Sequence, residues 1–222
     1  MQLDLHVHTC HSSDSLMTPD EIIRAVRRKG LGGVAITDHN TIAGALELRE
    51  VAPFLVIVGE EIRTTRGEIT GLFLKEAIPP DLSPEETISA IRGQGGVIVI
   101  PHPTDRLRTS AMGRRTLERV IDRVDALEVF NARTFLPQDN ELARQIALDH
   151  GRAMTAGSDA HLPYEIGRGL VEIEPFSDPA SFLAALRRGR SSGVLTTQFI
   201  HILTTLTKLY RRLPRGLVRS GR

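Results

Sequence analysis

The chain has 222 residues, 41% of them hydrophobic and 25% charged, and its 28 basic and 27 acidic side chains leave a net charge of +1. Those proportions describe one globular domain with a substantial core and exclude a disordered or fibrous chain. No apolar run approaches the roughly 18 residues of a membrane-spanning helix. The N-terminus enters a strand-like segment with no secretory apolar region, and the one cysteine, Cys10, rules out an intrachain disulfide. The expectation is a soluble, cytoplasmic protein.

Short runs rich in Val, Ile and Leu predict buried strands at 3–7, 34–37, 54–58, 69–74, 97–100, 126–130 and 170–173. Thr18-Pro19-Asp20-Glu21 and Ser83-Pro84-Glu85-Glu86 each supply a hydroxyl N-cap, proline at the first helical position and glutamate three residues after the cap. Asp178-Pro179 opens a third helix in the same way, without the glutamate. Strands alternating with helices predict a parallel sheet with crossover helices. The first strand ends in His-Val-His-Thr-Cys-His, and no G-x-G-x-x-G or P-loop sequence occurs, which disfavours a doubly wound nucleotide-binding sheet. Polar residues gather instead where strands end: His6 and His8, Asp38-His39, Glu60-Glu61 and His102. A barrel places its chemistry at the C-terminal ends of several strands, so an α/β barrel of seven βα units over residues 1–194 is expected.

From 195 to 213 apolar residues recur at helical spacing and Pro214 stops the pattern. A basic amphipathic helix and tail over 195–222 is expected, packed on the barrel or docked on an anionic membrane surface or partner. After Asp178 there is no acidic residue and nine basic ones follow, which leaves 19 basic and 27 acidic residues in 1–178. An acidic body is what a chain shows when carboxylates are gathered to hold cations, although a solvated acidic face gives the same count. With no Trp and 4% aromatics, a base-stacking platform for single strands is poorly supplied.

In an extended strand residues i and i+2 face one side, so His6 and His8 can grip one ion, and Asp159 and His161 repeat the spacing. Asp14, His39, the pair Glu60-Glu61 and His102 complete a set of imidazoles and carboxylates suited to Zn, Mn or Fe, with more ligands than one ion can use. Alternation allows only one of Glu60 and Glu61 to face the ions. Cys10 has no second cysteine to complete a thiolate site and is read as structural. His11 follows it and could approach the site or the substrate, whereas His150 and His201 fall in helical patterns. Asp38 and Asn40 are expected to orient ligands or cap the next helix.

Asp4-Leu-His-Val-His, Ser13-Asp14, Ile36-Thr-Asp-His-Asn40, His102-Pro103 and Gly157-Ser-Asp-Ala-His161, in that order, resemble the successive motifs of the PHP (polymerase and histidinol phosphatase) superfamily. The resemblance covers about residues 1–190 and is closest to the small stand-alone TrpH-like metal-dependent phosphoesterases. It implies a distorted seven-stranded (β/α) barrel holding two or three divalent ions at the strand ends and hydrolysing phosphate esters; some relatives act on nucleotide bisphosphates or as exoribonucleases. The matched ligand positions are His6, His8, Asp14, His39, Glu61, His102, Asp159 and His161, with Gly59-Glu60-Glu61-Ile62 selecting Glu61. Glu68 stands where relatives often carry a histidine, an oxygen donor that shifts preference toward Mn or Fe. Arg133 and Arg168 resemble arginines that hold phosphate in relatives, and Asn131 lies beside them.

The expected reaction is hydrolysis of a small phosphomonoester, nucleotide or oligonucleotide end by a metal-bridging hydroxide held between Glu61 and Asp159, without a covalent intermediate and with the general acid unassigned. Two rivals stand beside it. A metal-dependent amide hydrolase uses similar histidine clusters, but Lys29, Lys75 and Lys208 lie outside the ligand-bearing strand ends. A non-catalytic metal-binding interaction module would leave gaps in the ligand set.

Overall fold

The computed structural model describes residues 1–197 together with Thr204 and Thr207. Among them run β1 (Gln2–Val7), α1 (Pro19–Lys29), β2 (Gly33–Ile36), α2 (Ala43–Val51), β3 (Leu55–Thr64), β4 (Gly67–Leu72), α3 (Pro84–Gly93), β5 (Val97–Ile100), α4 (Arg114–Val120), β6 (Ala126–Asn131), α5 (Pro137–Asp149), β7 (Ala153–Gly157), β8 (Gly169–Glu172), α6 (Pro179–Arg188) and β9 (Arg190–Gly193). Of the helix expected over 195–213, residues 195–197 are described and are not helical, Thr204 and Thr207 are helical, and the rest lie outside the described residues. No described helix is long and apolar enough to cross a membrane.

The caps form as the sequence predicts. Thr18 and Ser83 each accept the N–H three residues on, and Glu21 and Glu86 reach back to the cap N–H groups. At α6, Ser181 plays the glutamate's part opposite Asp178. Each cap is worth about 1 kcal/mol.

The strands form one sheet in the order β7-β6-β5-β4-β3-β2-β1-β8-β9. It curls until its far parts meet: Val7 bridges Ala160 in parallel fashion, and the His8 N–H donates to the Ala160 carbonyl at 3.0 Å. The result is a nearly closed α/β barrel of nine strands, not seven. All seven predicted strands are present, and two more escaped the apolar pattern. Strand β7 reads AMTAG, small and short of β-branched residues, and β9 reads RSSG and is largely exposed. The sheet is also not wholly parallel, because β4 is antiparallel to both β3 and β5, and β8 is antiparallel to β1 and β9. Only Thr65 and Arg66 separate β3 from β4, too few for a crossover, so a hairpin is the only connection.

Two apolar clusters hold the barrel. One packs α1 to α5 on the outer sheet face through Ile22, Val26, Val34, Ile36, Leu48 and Ile91. The inner one draws Leu3, Leu5, Ala35, Ile57, Val99 and Val171 from around the sheet and is filled by Phe182 of α6. Val7 belongs to the outer cluster although Leu3 and Leu5 belong to the inner one, and the pairing of β1 with β2 shifts register between Asp4 and Val7. That irregularity breaks strict alternation and turns His6 and His8 inward at the strand's end.

Candidate metal centre

Nine titratable side chains from six strand ends and the loop after β1 converge above the inner core. They form four overlapping groups: His8, Asp14, His39 and His161; His6, His8 and Glu61; His6, His102 and Asp159; and His39, Glu61 and Glu68. Within each, donor atoms lie within 4.8 Å of one another. All nine positions expected to bind metal are therefore brought together. Glu61 belongs to two groups and is fully buried, with Oε1 2.8 Å from His102 Nε2 and Oε2 3.1 Å from His39 Nδ1.

The donors are aimed by partners behind them. His6 Nδ1 donates to Glu128 Oε1 at 3.0 Å, which leaves the Nε2 lone pair facing the site. His8 Nδ1 lies 3.1 Å from Ser12 Oγ, which also accepts the His39 N–H. Glu128 Oε2 accepts the His102 N–H at 2.8 Å, so one carboxylate sets two ligand-bearing strands. Asp4 accepts from Ser158 and from the Gly167 N–H, and Asp38 accepts from the Thr9 N–H and hydroxyl at 2.6 Å. Gly157 has to be glycine, because a Cβ there would run into His6 and Glu128. Asn40, His102 and Asp159 have positive φ of 56°, 30° and 54°, strained values for non-glycine residues that cluster at this end of the barrel.

Burial and the clustered carboxylates oppose each other in the electrostatics of the site. Burial pushes the His6 imidazolium down, yet Glu128, Asp159 and Glu61 outweigh it and hold His6 well above its ordinary value. His39 is likewise desolvated but raised to about 9, by Glu61 and Asp14 first among the carboxylates. His8, buried and facing His161 and His39, falls to about 4. Burial raises Glu61 and Asp159, but His6 and His39 around the first, and Arg108 and His6 around the second, pull both well below the usual carboxylate range. Glu68 is raised by burial and by Glu61. Buried oxygens Glu61 Oε2, Glu68 Oε2 and Asp159 Oδ1 accept no hydrogen bond, and His6 Nε2 and His8 Nε2 face each other at 3.1 Å. Unmade bonds of this kind cost about 1–3 kcal/mol apiece, and oxygen and imidazole donors converging on one buried space suit divalent ions.

Glu60 and Glu61 illustrate the alternation. Glu60 points to the outer face, where one oxygen accepts the Ile78 N–H at 2.8 Å, the other accepts none, and burial pushes the carboxyl up to about 7 from 4.5. Its neutral form favours folding below about pH 4.5, and that contribution is lost as pH rises through 7. Glu60→Gln keeps an acceptor and cannot ionise. It should match wild type near pH 4.5 and exceed it by about 2 kcal/mol at pH 8 in urea melts.

A cavity of about 470 Å³ opens onto Asp14, His39, Glu68, Asp159 and His161 and is also bordered by Arg63, Arg108, Arg133 and Thr204. Arg133 reaches the site as expected, its Nη1 2.6 Å from His161 Nδ1 and its Nη2 donating to Thr204 Oγ1. Asn131 does not face the cavity. It is fully buried, and its amide donates to Glu128 Oε2 at 3.0 Å and Asp159 Oδ2 at 3.2 Å, so it positions two carboxylates. Arg168 is placed away from the centre. It precedes β8 near the sheet's edge, where its carbonyl accepts the Val194 N–H, its Nη1 donates to the Leu195 carbonyl, and it borders a separate hollow with Lys29. His11 turns outward to Glu47 at 2.7 Å, and His150 ends α5; His201 lies outside the described residues. Cys10 is half-buried, its N–H donating to the Met17 carbonyl.

Sequence reasoning missed Arg108 and the roles of Glu128 and Ser12. Glu128 could have been found as a lone acid inside the apolar run 126–130, whereas Arg108 sits among several loop arginines with no distinguishing signal.

A family model described as PHP-associated matches residues 137–191. Two uncharacterized proteins of Methanocaldococcus jannaschii are similar along most of their length. MJ1587 is 44% identical over 145 residues, 60% of this chain and 82% of that protein, and MJ0417 is 34% identical over 197 residues, 84% and 79% respectively. The chain belongs to the PHP superfamily. Solved structures share its fold at low identity. A two-domain Bacteroides vulgatus protein containing a predicted PHP-like metal-dependent phosphoesterase superposes with a TM-score of 0.72 at 19% identity, covering 93% of this chain and 69% of that one. A Chromobacterium violaceum amidohydrolase with bound sulfate superposes at 0.62 and 21% identity, covering 83% and 96%. Membership of the PHP superfamily and the clustered His, Asp and Glu side chains together support a metal-dependent hydrolase.

Proposed function

We propose that this protein is a phosphoesterase acting on a small phosphomonoester, a nucleotide or an oligonucleotide end, with two or three divalent ions, Mn, Zn or Fe, held by His6, His8, Asp14, His39, Glu61, Glu68, His102, Asp159 and His161. The observation that carries the reading is the union of this donor set with a cavity bordered by three arginines. An amide substrate has no need of so much cationic charge, whereas a phosphate ester does. Bound divalent ions supply a water acidic enough to react at neutral pH and neutralise charge on phosphoryl oxygens.

The chain's own part is to aim and to exclude. Glu61 and Asp159, each with a buried oxygen that accepts no hydrogen bond, are the carboxylates that would flank the reacting water. Glu128 and Ser12 fix the His6 and His8 rings, so donor geometry is set before substrate arrives. Arg133 holds phosphate oxygens at the cavity's edge. The general acid is left unassigned. The single half-buried cysteine suits a reducing compartment, and we place the protein in the cytoplasm. We take residues 1–194 as the hydrolase barrel and 195–222 as a basic appendage suited to an anionic surface or partner.

The test is to strip the protein of metal, add back Mn, Zn or Fe, and measure phosphate release across nucleotides, nucleotide bisphosphates, sugar phosphates and short RNA. Release that appears with metal and vanishes on chelation is expected. Chelation-resistant release, or amide cleavage with no phosphate release from any ester, contradicts the reading.

A further inference from the structure

Arg108 lies on the loop after β5, and no sequence motif marks it. Its side chain is 19% exposed, and it borders the cavity beside Thr109 and Ser110. Two buried carboxylates orient its guanidinium. Nη2 is 2.7 Å from Asp159 Oδ2, and Nε is 3.6 Å from Asp105 Oδ2. Two successive turns tie this loop to the site, since the Asp105 N–H donates to the His102 carbonyl and the Arg108 N–H to the Asp105 carbonyl. Arg108 is therefore a fixed arm, not a surface chain, held by two buried carboxylates while it borders the cavity.

Asp159 divides its two oxygens. Oδ2 takes Arg108 and the Asn131 amide, while Oδ1 faces His6 Nε2 at 3.7 Å, His8 Nε2 at 3.3 Å and His161 Nδ1 at 3.6 Å. The guanidinium consequently occupies the oxygen that points away from the imidazoles and competes with no ion for the other. A planar fork with one edge pinned on a carboxylate and another turned to an open cavity is the arrangement that binds a phosphoryl group by paired N–H donors.

We propose that Arg108 is a substrate-binding residue of this site, gripping the phosphoryl group of the ester with its cavity-facing edge while its inner edge holds Asp159 in place. The assignment rests on the phosphoesterase reading above and adds to it a residue that couples substrate to a metal-bearing carboxylate. A structural counter-ion for the acidic cluster would look similar without substrate, and phosphate binding separates the two.

The experiment uses the Mn-loaded full chain, with inorganic phosphate as the probe in calorimetric titration, comparing wild type, Arg108→Gln and Arg108→Lys. Bound Mn is counted and the thermal midpoint recorded for each. Hydrogen bonds to charged groups are worth enough that Arg108→Gln should weaken phosphate binding by about tenfold or more. Mn content should stay at the wild-type level. Lysine, with the charge but not the fork, should recover only part of the affinity, and in turnover KM should rise more than kcat falls. Phosphate affinity within twofold of wild type in Arg108→Gln overturns the proposal, as does loss of Mn by that variant. Should the glutamine variant not fold, unchanged affinity in Arg108→Lys has the same force. If Mn-loaded wild type binds no phosphate and releases none from any ester, the phosphoesterase reading fails first, a result distinguishable from failure of Arg108 alone.

Discussion

Glu61→Gln should abolish metal-dependent turnover and lower the number of ions bound, while Glu60→Gln, one residue away, should leave both near wild type. Glu61 touches four of the histidines that would hold metal, His6, His8, His39 and His102, and is the one carboxylate shared by two donor groups containing different histidines. Glutamine keeps the shape but replaces one charged oxygen by an amide nitrogen that cannot ligate. Partners behind metal ligands already cost about 10–100-fold in affinity or activity when removed, so loss of a shared ligand should exceed roughly a hundredfold. Metal analysis of the purified variants and initial rates with Mn added back check both halves. Equal losses in the two variants would mean that general disturbance of β3, not ligation, is responsible.

Adding divalent metal to the stripped protein should raise its thermal midpoint by about 8–16 °C at a thousandfold excess over Kd. The binding free energy then adds about 4 kcal/mol to folding, and a domain of this size moves about 2–4 °C per kcal/mol. The gain should depend on pH with a definite sign. In the metal-free protein His39 is raised to about 9 and His6 also lies above its ordinary value, so each proton stabilises the fold fully below about pH 6.5 and is lost as pH rises through the folded value. Metal has to displace those protons. Its apparent affinity should therefore fall about tenfold per pH unit for each proton displaced below pH 9, and the shift in midpoint should shrink accordingly. Melting curves at pH 6, 7.5 and 9 with and without Mn give the answer, and a metal effect independent of pH would contradict histidine ligation.

Legibility followed locality. The capping boxes at Thr18 and Ser83 are complete within four residues and were readable, as were apolar strands such as 97–100. Strand β7 was not, since alanine and glycine are depleted in strands, one β-branched residue, Thr155, is too little to mark it, and the strand is held by neighbours far along the chain. The ligand types were legible because histidine pairs and lone acids at strand ends have few other uses. Their aiming was not. Whether Arg168 or Arg108 reaches the cavity depends on which strand edge each loop leaves from, and nothing in either tripeptide records that.

Composition and spacing by themselves determined that this chain would build an α/β barrel and carry a surplus of imidazole and carboxylate donors, because strand period and helix caps act over a few residues. Which of Glu60 and Glu61 turns inward, that Asn131 serves the carboxylates and not the cavity, and that Arg108 stands against Asp159 were decided only when the sheet curled and brought Glu61 to His6 and His102, and Asn131 and Arg108 to Asp159, pairs 28 to 55 positions apart, within a few ångströms. Hydrogen bonds and ion pairs act at about 3 Å, and only closure of the barrel sets distances on that scale.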